Sequence, residues 1–286
     1  MKKGLFILFV MWMSVVFSQD YSAYQIYTKK GKKTNFSAVL KQSENKKVVF
    51  FGEHHNDPIA HWLQLELLFH LHKINGNNLI CGSEMFEQDN QKALNSFLNG
   101  KIEEKSLKDS VRLWPNFKTD YLPLLDFAKS NQIPWIATNI PRKYASLVYK
   151  KGIKSLDTIN SIEKTWIVPL PIEVDTTLSQ YSALLNSAMH MGNNFVYAQA
   201  IKDATMAWFI YQNLKNEQVF YHLNGTYHSD YFQGIMWYLN YYSKIPITEM
   251  LSIATVSQKN CSTLEKEHIG KADFILCVPE NMTKTH

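Results

Sequence analysis

Short apolar runs bounded by polar or turn residues recur along the chain, and longer segments of helical spacing separate them. Six runs have the length and the β-branched and aromatic content of buried strands: 47–51, 78–82, 134–138, 218–223, 247–256 and 274–278. The clearest helical patterns cover residues 57–73, 87–98, 121–130 and 194–215. This alternation predicts an α/β fold, in which helices flank a mostly parallel sheet on both faces.

One long segment interrupts that alternation. Residues 144–215 are rich in helical patterns and contain no convincing strand. We therefore predict a smaller helical subdomain at 144–215, inserted into an α/β domain made of residues 47–143 and 216–286.

The first residues have the layout of a secretory signal peptide. Lys2 and Lys3 precede an apolar run at 5–17, which ends at the small residue Ser18. Because the run approaches the length of a membrane span, an uncleaved anchor is the alternative. We expect cleavage of residues 1–18 and an exported protein, periplasmic or secreted, with 19–46 as a leader or linker. No cysteine lies near the predicted cut, so a lipid-anchored cysteine is not expected.

The composition excludes one class of partner but does not decide whether the cysteines form a disulfide. The net charge is +5 and the lysines are scattered, with no basic face of interleaved aromatics, so no nucleic-acid partner is expected. The spacing of the three cysteines fits no zinc pattern. Cys261 and Cys277 could form a disulfide in an exported protein, or all three could be buried thiols.

Polar side chains follow each of the first four predicted strands. In a parallel sheet the carboxyl ends of the strands lie at one edge, where ligands bind. We therefore expect a single site built from these residues: Glu53, His55, Glu84, Asn139, Arg142, Tyr227 and His228.

A short pattern occurs twice at that edge, as Gly52-x-x-His55 and Gly225-x-x-His228. A glycine at the end of a strand lets the chain turn sharply without a Cβ penalty. Glu84 follows the strand between them along the chain. His55, Glu84 and His228 could bind a divalent metal ion, form an acid–base pair, or contact a haem.

Two further interpretations of the residues at this sheet edge remain open. Glu53 and Glu84 could instead pair with Arg142 in a buried network that holds no ligand. Tyrosines near the edge or on the helix at 194–215 offer a different chemistry, because tyrosinate is an axial ligand of ferric haem.

The segments "FFGEHHNDPIAHWLQLELL", "GSEMFEQDNQKALNSFLNG", "LWPNFKTDYLPLLDFAK", "IATNIPR", "AQAIKDATMAW" and "NGTYHSDYFQGI" occur in this order. Together they resemble the ChaN-like family of haem-binding bacterial exported proteins over residues 47–235. The resemblance implies haem bound beside a helical subdomain or between two subunits of a homodimer, and a role in haem or iron acquisition with outer-membrane uptake components. It also implies a tyrosine as iron ligand, for which the candidates are Tyr197, Tyr227 and Tyr231. Members are commonly lipoproteins, and this chain departs from that pattern.

More distantly, the paired glycine–histidine pattern resembles the Tiki and TraB group and the erythromycin esterases. That likeness implies a protease or esterase in which His55, Glu84 and His228 carry catalysis, with or without a divalent metal ion. Our first hypothesis is thus a non-enzymatic haem-binding protein, and the second is a hydrolase.

Overall fold

The computed structural model describes residues 22–187 and 192–286, so the predicted signal peptide at 1–18 lies outside the described residues. The strands are β1 (Gln25–Thr28), β2 (Lys33–Thr34), β3 (Val48–Glu53), β4 (Leu79–Glu87), β5 (Trp135–Asn139), β6 (Val219–Gly225), β7 (Met250–Gln258) and β8 (Phe274–Pro279). The helices are α1 (Phe36–Ser43), α2 (Pro58–Asn75), α3 (Gln91–Leu98), α4 (Glu104–Ser110), α5 (Leu122–Ser130), α6 (Arg142–Lys151), α7 (Ser161–Lys164), α8 (Ser179–Ser187), α9 (Asn194–Asn213) and α10 (Ile235–Ser243).

All eight strands belong to one sheet, in the order β2-β1-β8-β7-β3-β6-β4-β5. The six predicted strands correspond to β3–β8, and these six pair with one another in parallel. β3 is buried at every position and pairs with β6 and β7. A strand enclosed in this way has no solvent face, which is why its sequence is a continuous apolar run. The predicted α/β fold with a mostly parallel sheet is confirmed.

The structure differs from the sequence prediction between residues 19 and 46. β1 pairs antiparallel with β8 and buries Ile26 and Tyr27, while β2 extends the edge. The lysine-rich residues 29–32 form the turn between β1 and β2, with Gly31 at φ 74°. Four residues beside a lysine cluster are too short a run for periodicity to detect as a strand.

Helices cover both faces of the sheet. α2, α3 and α5 pack on one face, where the core includes Phe51 and Tyr221. α6, α9 and α10 pack on the other, around Phe50 and Phe220. The described part of 144–215 is helical and contains no strand, and its longest helix, α9, contacts β5. None of the described helices combines the length and apolarity that a membrane crossing requires.

The three cysteines are thiols in this structure. Cys81 is buried in β4, and burial raises its pKa well above the ordinary range of a thiol. Cys277 on β8 lies with its Sγ 2.8 Å from the Sγ of Cys261. The two residues named as a possible pair are therefore neighbours, joined by a thiol contact.

Candidate functional site

The carboxyl ends of β3, β6, β4 and β5 are adjacent in the sheet and open onto a cavity of about 550 Å³. Five of the residues predicted from the sequence line it: His55, Glu84, Asn139, Arg142 and His228. The expected convergence at one edge is therefore present. Further wall residues come from the segment after α4 and from the helices α6 and α9, including Arg112, Trp114, Ser146, Tyr149, Phe195 and Lys202.

His228 occupies the centre of a buried ionic triad. Its Nε2 lies 3.1 Å from Oε1 of Glu84, and its Nδ1 donates to Oδ1 of Asp203 on α9. Asp203 also accepts a 2.7 Å hydrogen bond from the hydroxyl of Tyr181, and Glu84 accepts one of 2.7 Å from the backbone N–H of Gly225. Both imidazole nitrogens face carboxylates, and an ionised carboxylate only accepts hydrogen bonds, so this geometry favours the doubly protonated ring. Nε2 of Gln199 also lies 2.8 Å from Nδ1 of His228.

The pKa values of the triad agree with this assignment. Burial opposes the charged form of His228, but the carboxylates of Glu84 and Asp203 raise its pKa to about 10. Burial likewise opposes ionisation of Glu84, yet His228, His55 and the Gly225 N–H hold the pKa of that carboxyl far below its usual range. Burial raises the pKa of Asp203, and the imidazolium counteracts this. These shifts favour a protonated His228 at neutral pH, held between two carboxylates.

Glu53 lies behind His55 rather than in the cavity wall. Its fully buried carboxylate accepts hydrogen bonds from His55 Nδ1 at 2.9 Å, from the Tyr121 hydroxyl at 2.6 Å and from Gln64 Nε2 at 2.6 Å. The His55 side chain is 34% exposed. Burial lowers the pKa of His55, but the bond to Glu53 and the charge of Glu84 outweigh this and raise it. Glu53 thus orients the imidazole of His55 through Nδ1. Nε2 of His55 is left for a ligand.

The two strand-end glycines are required for space and not for a turn, which corrects the sequence interpretation. Neither Gly52 nor Gly225 has a positive φ. A Cβ at Gly52 would lie 2.8 Å from Cα of Thr226, and one at Gly225 would lie 2.8 Å from Nε2 of His55. Both glycines therefore let the loops after β3 and β6 approach each other closely.

The bulge in β4 aims Glu84 at the cavity. β4 pairs with β5 at Ser83↔Ala137 and next at Glu87↔Asn139, so the register shifts between these pairs. Bulges next to sites re-aim side chains in this way. Asn139 at the end of β5 donates from Nδ2 to the backbone oxygen of Glu84 at 3.0 Å, which ties the bulge to the neighbouring strand.

The alternative network of Glu53 and Glu84 with Arg142 is wrong. The partners of both carboxylates are histidines, a tyrosine, an amide and a backbone N–H. Arg142 is exposed at the first position of α6, and its backbone N–H donates to Glu87 Oε2 at 3.0 Å. Its guanidinium stands at the rim of the cavity, available to an anionic ligand.

The three tyrosines named as iron ligands do not line the cavity. Tyr197 packs against the core beneath α9. The hydroxyl of Tyr227 donates to the backbone oxygen of Gln180 at 2.8 Å, and that of Tyr231 donates to the backbone oxygen of Glu267 at 3.2 Å. Within the described chain, the tyrosine that lines the cavity is Tyr149 on α6, whose ring meets Phe195 edge-on with centroids 6.2 Å apart.

Several residues of the site escaped the sequence analysis. Asp203 had a detectable signal, because it is a carboxylate within the otherwise apolar face of α9 and is 1% exposed. Tyr121 had none, because its role depends on its hydroxyl meeting Glu53, which is 68 positions away in the chain. Arg112 and Tyr149 had none, because exposed positions on irregular segments and helix surfaces carry no periodic signature.

The structure pairs the residues named for a divalent metal ion with other groups. Both nitrogens of His228 face carboxylates. Among residues 22–187 and 192–286, a group of three metal-binding side chains whose ligand atoms all lie within 4.8 Å of one another occurs elsewhere, at Glu265, Glu267 and His268. A metal ion held by His55, Glu84 and His228 stays a prediction.

Comparison with known families shows the family to which this chain belongs. The profile of the family described as "Haem-binding uptake, Tiki superfamily, ChaN" matches residues 39–239, well over half of the chain. The chain belongs to this ChaN haem-binding family. Membership supports haem as the ligand, and the match spans β3–β6 and every wall of the cavity.

Solved structures and a curated relative extend the comparison. A solved protein structure from Campylobacter jejuni, described as "Cofacial heme binding to ChaN", superposes on this chain with a TM-score of 0.63 at 16% identity. The superposition covers 88% of this chain and 96% of that one. An erythromycin esterase mutant in its open conformation has a TM-score of 0.51 at 12% identity, with 88% and 94% covered. At these identities the likeness shows the fold alone. The protein RETICULATA-RELATED 5, chloroplastic, of Arabidopsis thaliana is 29% identical over 184 residues, which are 59% of this chain and about a quarter of that protein's length.

Proposed function

We propose that this chain binds haem in the cavity at the carboxyl ends of β3–β6. The observation that carries the proposal is the composition of the walls: aromatic rings of Trp114, Tyr149 and Phe195 stand beside three cations of the rim, Arg112, Arg142 and Lys202. Haem combines a flat apolar macrocycle with two propionate carboxylates. The aromatic rings would pack against the macrocycle, and the cations would pair with the propionates.

An unpaired polar atom also supports a ligand in this cavity. Oδ1 of Asn139 is buried and has no hydrogen-bond partner, although Nδ2 of the same side chain is bonded. A buried acceptor without a partner costs about 1–3 kcal/mol. A bound group with a donor at this position would remove that cost.

The walls assign a role to each side chain. The guanidinium groups of Arg112 and Arg142 and the ammonium of Lys202 would pair with propionates. Tyr149 is our candidate for the iron ligand, because its hydroxyl accepts and donates no hydrogen bond within the described chain and its ring lines the cavity. Ferric haem iron supplies a Lewis-acidic centre that binds phenolate oxygen.

A haemin titration of the mature chain tests the proposal. We expect a saturable shift of the Soret band, and a loss of affinity of about tenfold or more in each of Arg112→Ala and Arg142→Ala, since a hydrogen bond to a charged group contributes roughly 1.5–3 kcal/mol. Lys150→Ala is the matched control, because Lys150 is an exposed cation on the same helix as Arg142 but outside the cavity. Absence of saturation, or equal losses in the control, would contradict the assignment of this cavity.

We further propose export to the periplasm or cell exterior, a role in haem or iron acquisition, and a homodimer sharing the site. The charged and apolar pattern at 1–18 supports export. The family description includes uptake, and the C. jejuni protein is named for cofacial heme binding. The mass of the haemin complex tests the dimer.

A hydrolase is a second candidate, favoured by the Glu53–His55 pair. His55 is oriented through Nδ1 by a buried carboxylate and presents Nε2 to the cavity, as a general base does. This hypothesis predicts turnover on a panel of nitrophenyl esters that His55→Ala abolishes and His54→Ala leaves intact. His54 is the matched control because it precedes His55 and does not line the cavity. Turnover that survives His55→Ala excludes this role for the pair.

A further inference from the structure

A second cluster of ligating side chains lies away from the haem cavity, in the loop between β7 and β8. Glu265, Glu267 and His268 each place one ligand atom within 4.8 Å of the others. The two glutamates are exposed and the histidine is buried at 8% exposure. None of the three lines the cavity at the ends of β3–β6.

His268 is unpartnered, which ordinary structural roles do not explain. Both of its ring nitrogens, Nδ1 and Nε2, are buried and have no hydrogen-bond partner. Buried polar side chains are nearly always hydrogen-bonded, because losing water without a replacement costs free energy. An imidazole that leaves both nitrogens free, with one of them beside two carboxylates, has the ligand geometry of a metal site before the ion is bound.

The backbone around the cluster is held in place. Gln258, which is 3% exposed, accepts from the N–H of Glu265 at 3.1 Å and donates to the backbone oxygen of Thr263 at 2.7 Å. On the other side, the N–H of Gly270 donates to the backbone oxygen of Lys29 at 3.0 Å, and Tyr231 donates to that of Glu267. A loop fixed at both ends loses little freedom when it binds an ion.

A cation that follows the cluster in the chain, Lys271, is paired with a carboxylate outside it. The ammonium of Lys271 lies 3.5 Å from Asp230 Oδ2. Lys271 therefore does not occupy the carboxylates of Glu265 and Glu267.

We propose that Glu265, Glu267 and His268 form a binding site for a divalent first-row transition-metal ion. An imidazole with two carboxylates suits Zn²⁺, Fe²⁺ or Co²⁺, whereas Mg²⁺ and Ca²⁺ prefer oxygen ligands alone. Three protein ligands leave coordination positions for water, and the two exposed glutamates give the ion a path from solvent. The site is independent of haem binding.

Calorimetric titration of tag-free, chelator-treated full-length protein with Zn²⁺ tests the proposal. We expect one Zn²⁺ ion to bind per chain. Mg²⁺ should not bind with the same affinity. His268→Gln and Glu267→Gln should each weaken Zn²⁺ binding by at least about tenfold, since losing even an outer-shell partner of a ligand costs 10–100-fold. With Co²⁺ as the probe, visible absorption bands of the bound ion should appear in the natural chain and disappear in His268→Gln.

Two controls make the outcome decisive. His70→Gln changes a histidine that also lies 3.3 Å from a glutamate, Glu44, but belongs to no three-residue group, and it should leave Zn²⁺ binding unchanged. Haemin titration of each variant reports on intact folding at the cavity, which none of the three residues lines. Zn²⁺ binding that is absent from the natural chain, or equally strong in His268→Gln and Glu267→Gln, overturns the proposal.

Discussion

Replacing His228 with alanine is expected to lower the free energy of unfolding by about 3–5 kcal/mol, because it leaves two buried carboxylates without their shared cation. Glu84 and Asp203 are nearly inaccessible to solvent and each pairs with one nitrogen of the ring. Urea denaturation followed by circular dichroism measures the loss. Adding Glu84→Gln to the alanine variant should recover part of it, since one of the uncompensated charges is then removed.

His54→Ala is the matched control for this experiment. Burial lowers the pKa of His54, so that ring is neutral at pH 7 and its removal should cost less than about 1 kcal/mol. A loss below 1 kcal/mol for His228→Ala as well would show that the triad is not held as an ionic network.

The same triad predicts how stability depends on pH. The folded-state pKa of His228 is about 10, above its ordinary value of about 6.5 in an unfolded chain. Its stabilising contribution is therefore complete below about pH 6.5 and is lost as the pH rises through 10, at up to about 1.4 kcal/mol per pH unit. The difference in stability between the natural chain and His228→Ala should narrow between pH 7 and 10. The contribution of Glu84, whose pKa is lowered, is complete above its ordinary pKa of 4.5 and is lost progressively as the pH falls below that value.

Replacing Tyr149 with phenylalanine is expected to weaken haemin binding by roughly 100-fold, because it removes the phenolate ligand and retains the aromatic wall. The phenolate-to-iron charge-transfer absorption of the complex should disappear, while the fold and the Soret-detected contact with the walls persist. Absorbance titration with haemin measures both quantities. The ring contact with Phe195 does not need the hydroxyl, so the variant should fold normally.

Tyr197→Phe, Tyr227→Phe and Tyr231→Phe are the matched controls, since none of these residues lines the cavity. Each should bind haemin within about twofold of the natural chain. If Tyr149→Phe also binds haemin unchanged, Tyr149 is not the iron ligand. If one of the controls loses affinity instead, the ligand comes from outside this cavity.

Local pattern was sufficient for the strands and for most of the strand-end chemistry. β3, β4, β6, β7 and β8 each lie between two neighbouring strands, which makes their sequences continuous apolar runs, and β5 lies at the end of the sheet. The polar residues after β3–β6 lie together because parallel strands share their direction. Five of these predicted residues line the cavity for that reason: His55, Glu84, Asn139, Arg142 and His228. β1 was missed because its pairing with β8 joins residues about 250 positions apart.

The partners of the charges required the tertiary structure. Asp203 lies on α9 and reaches His228 only because that helix packs across the sheet, and Tyr149 enters the cavity from α6 for the same kind of reason. The roles of Gly52 and Gly225 were likewise decided by what lies next to them in space. The sequence alone thus determined the fold class, the edge that carries the chemistry and the residue types present there, since these follow from periodicity and chain direction. Which carboxylate holds which histidine, and which tyrosine faces the ligand, depends on distances between segments remote in the chain, and those are set only by packing.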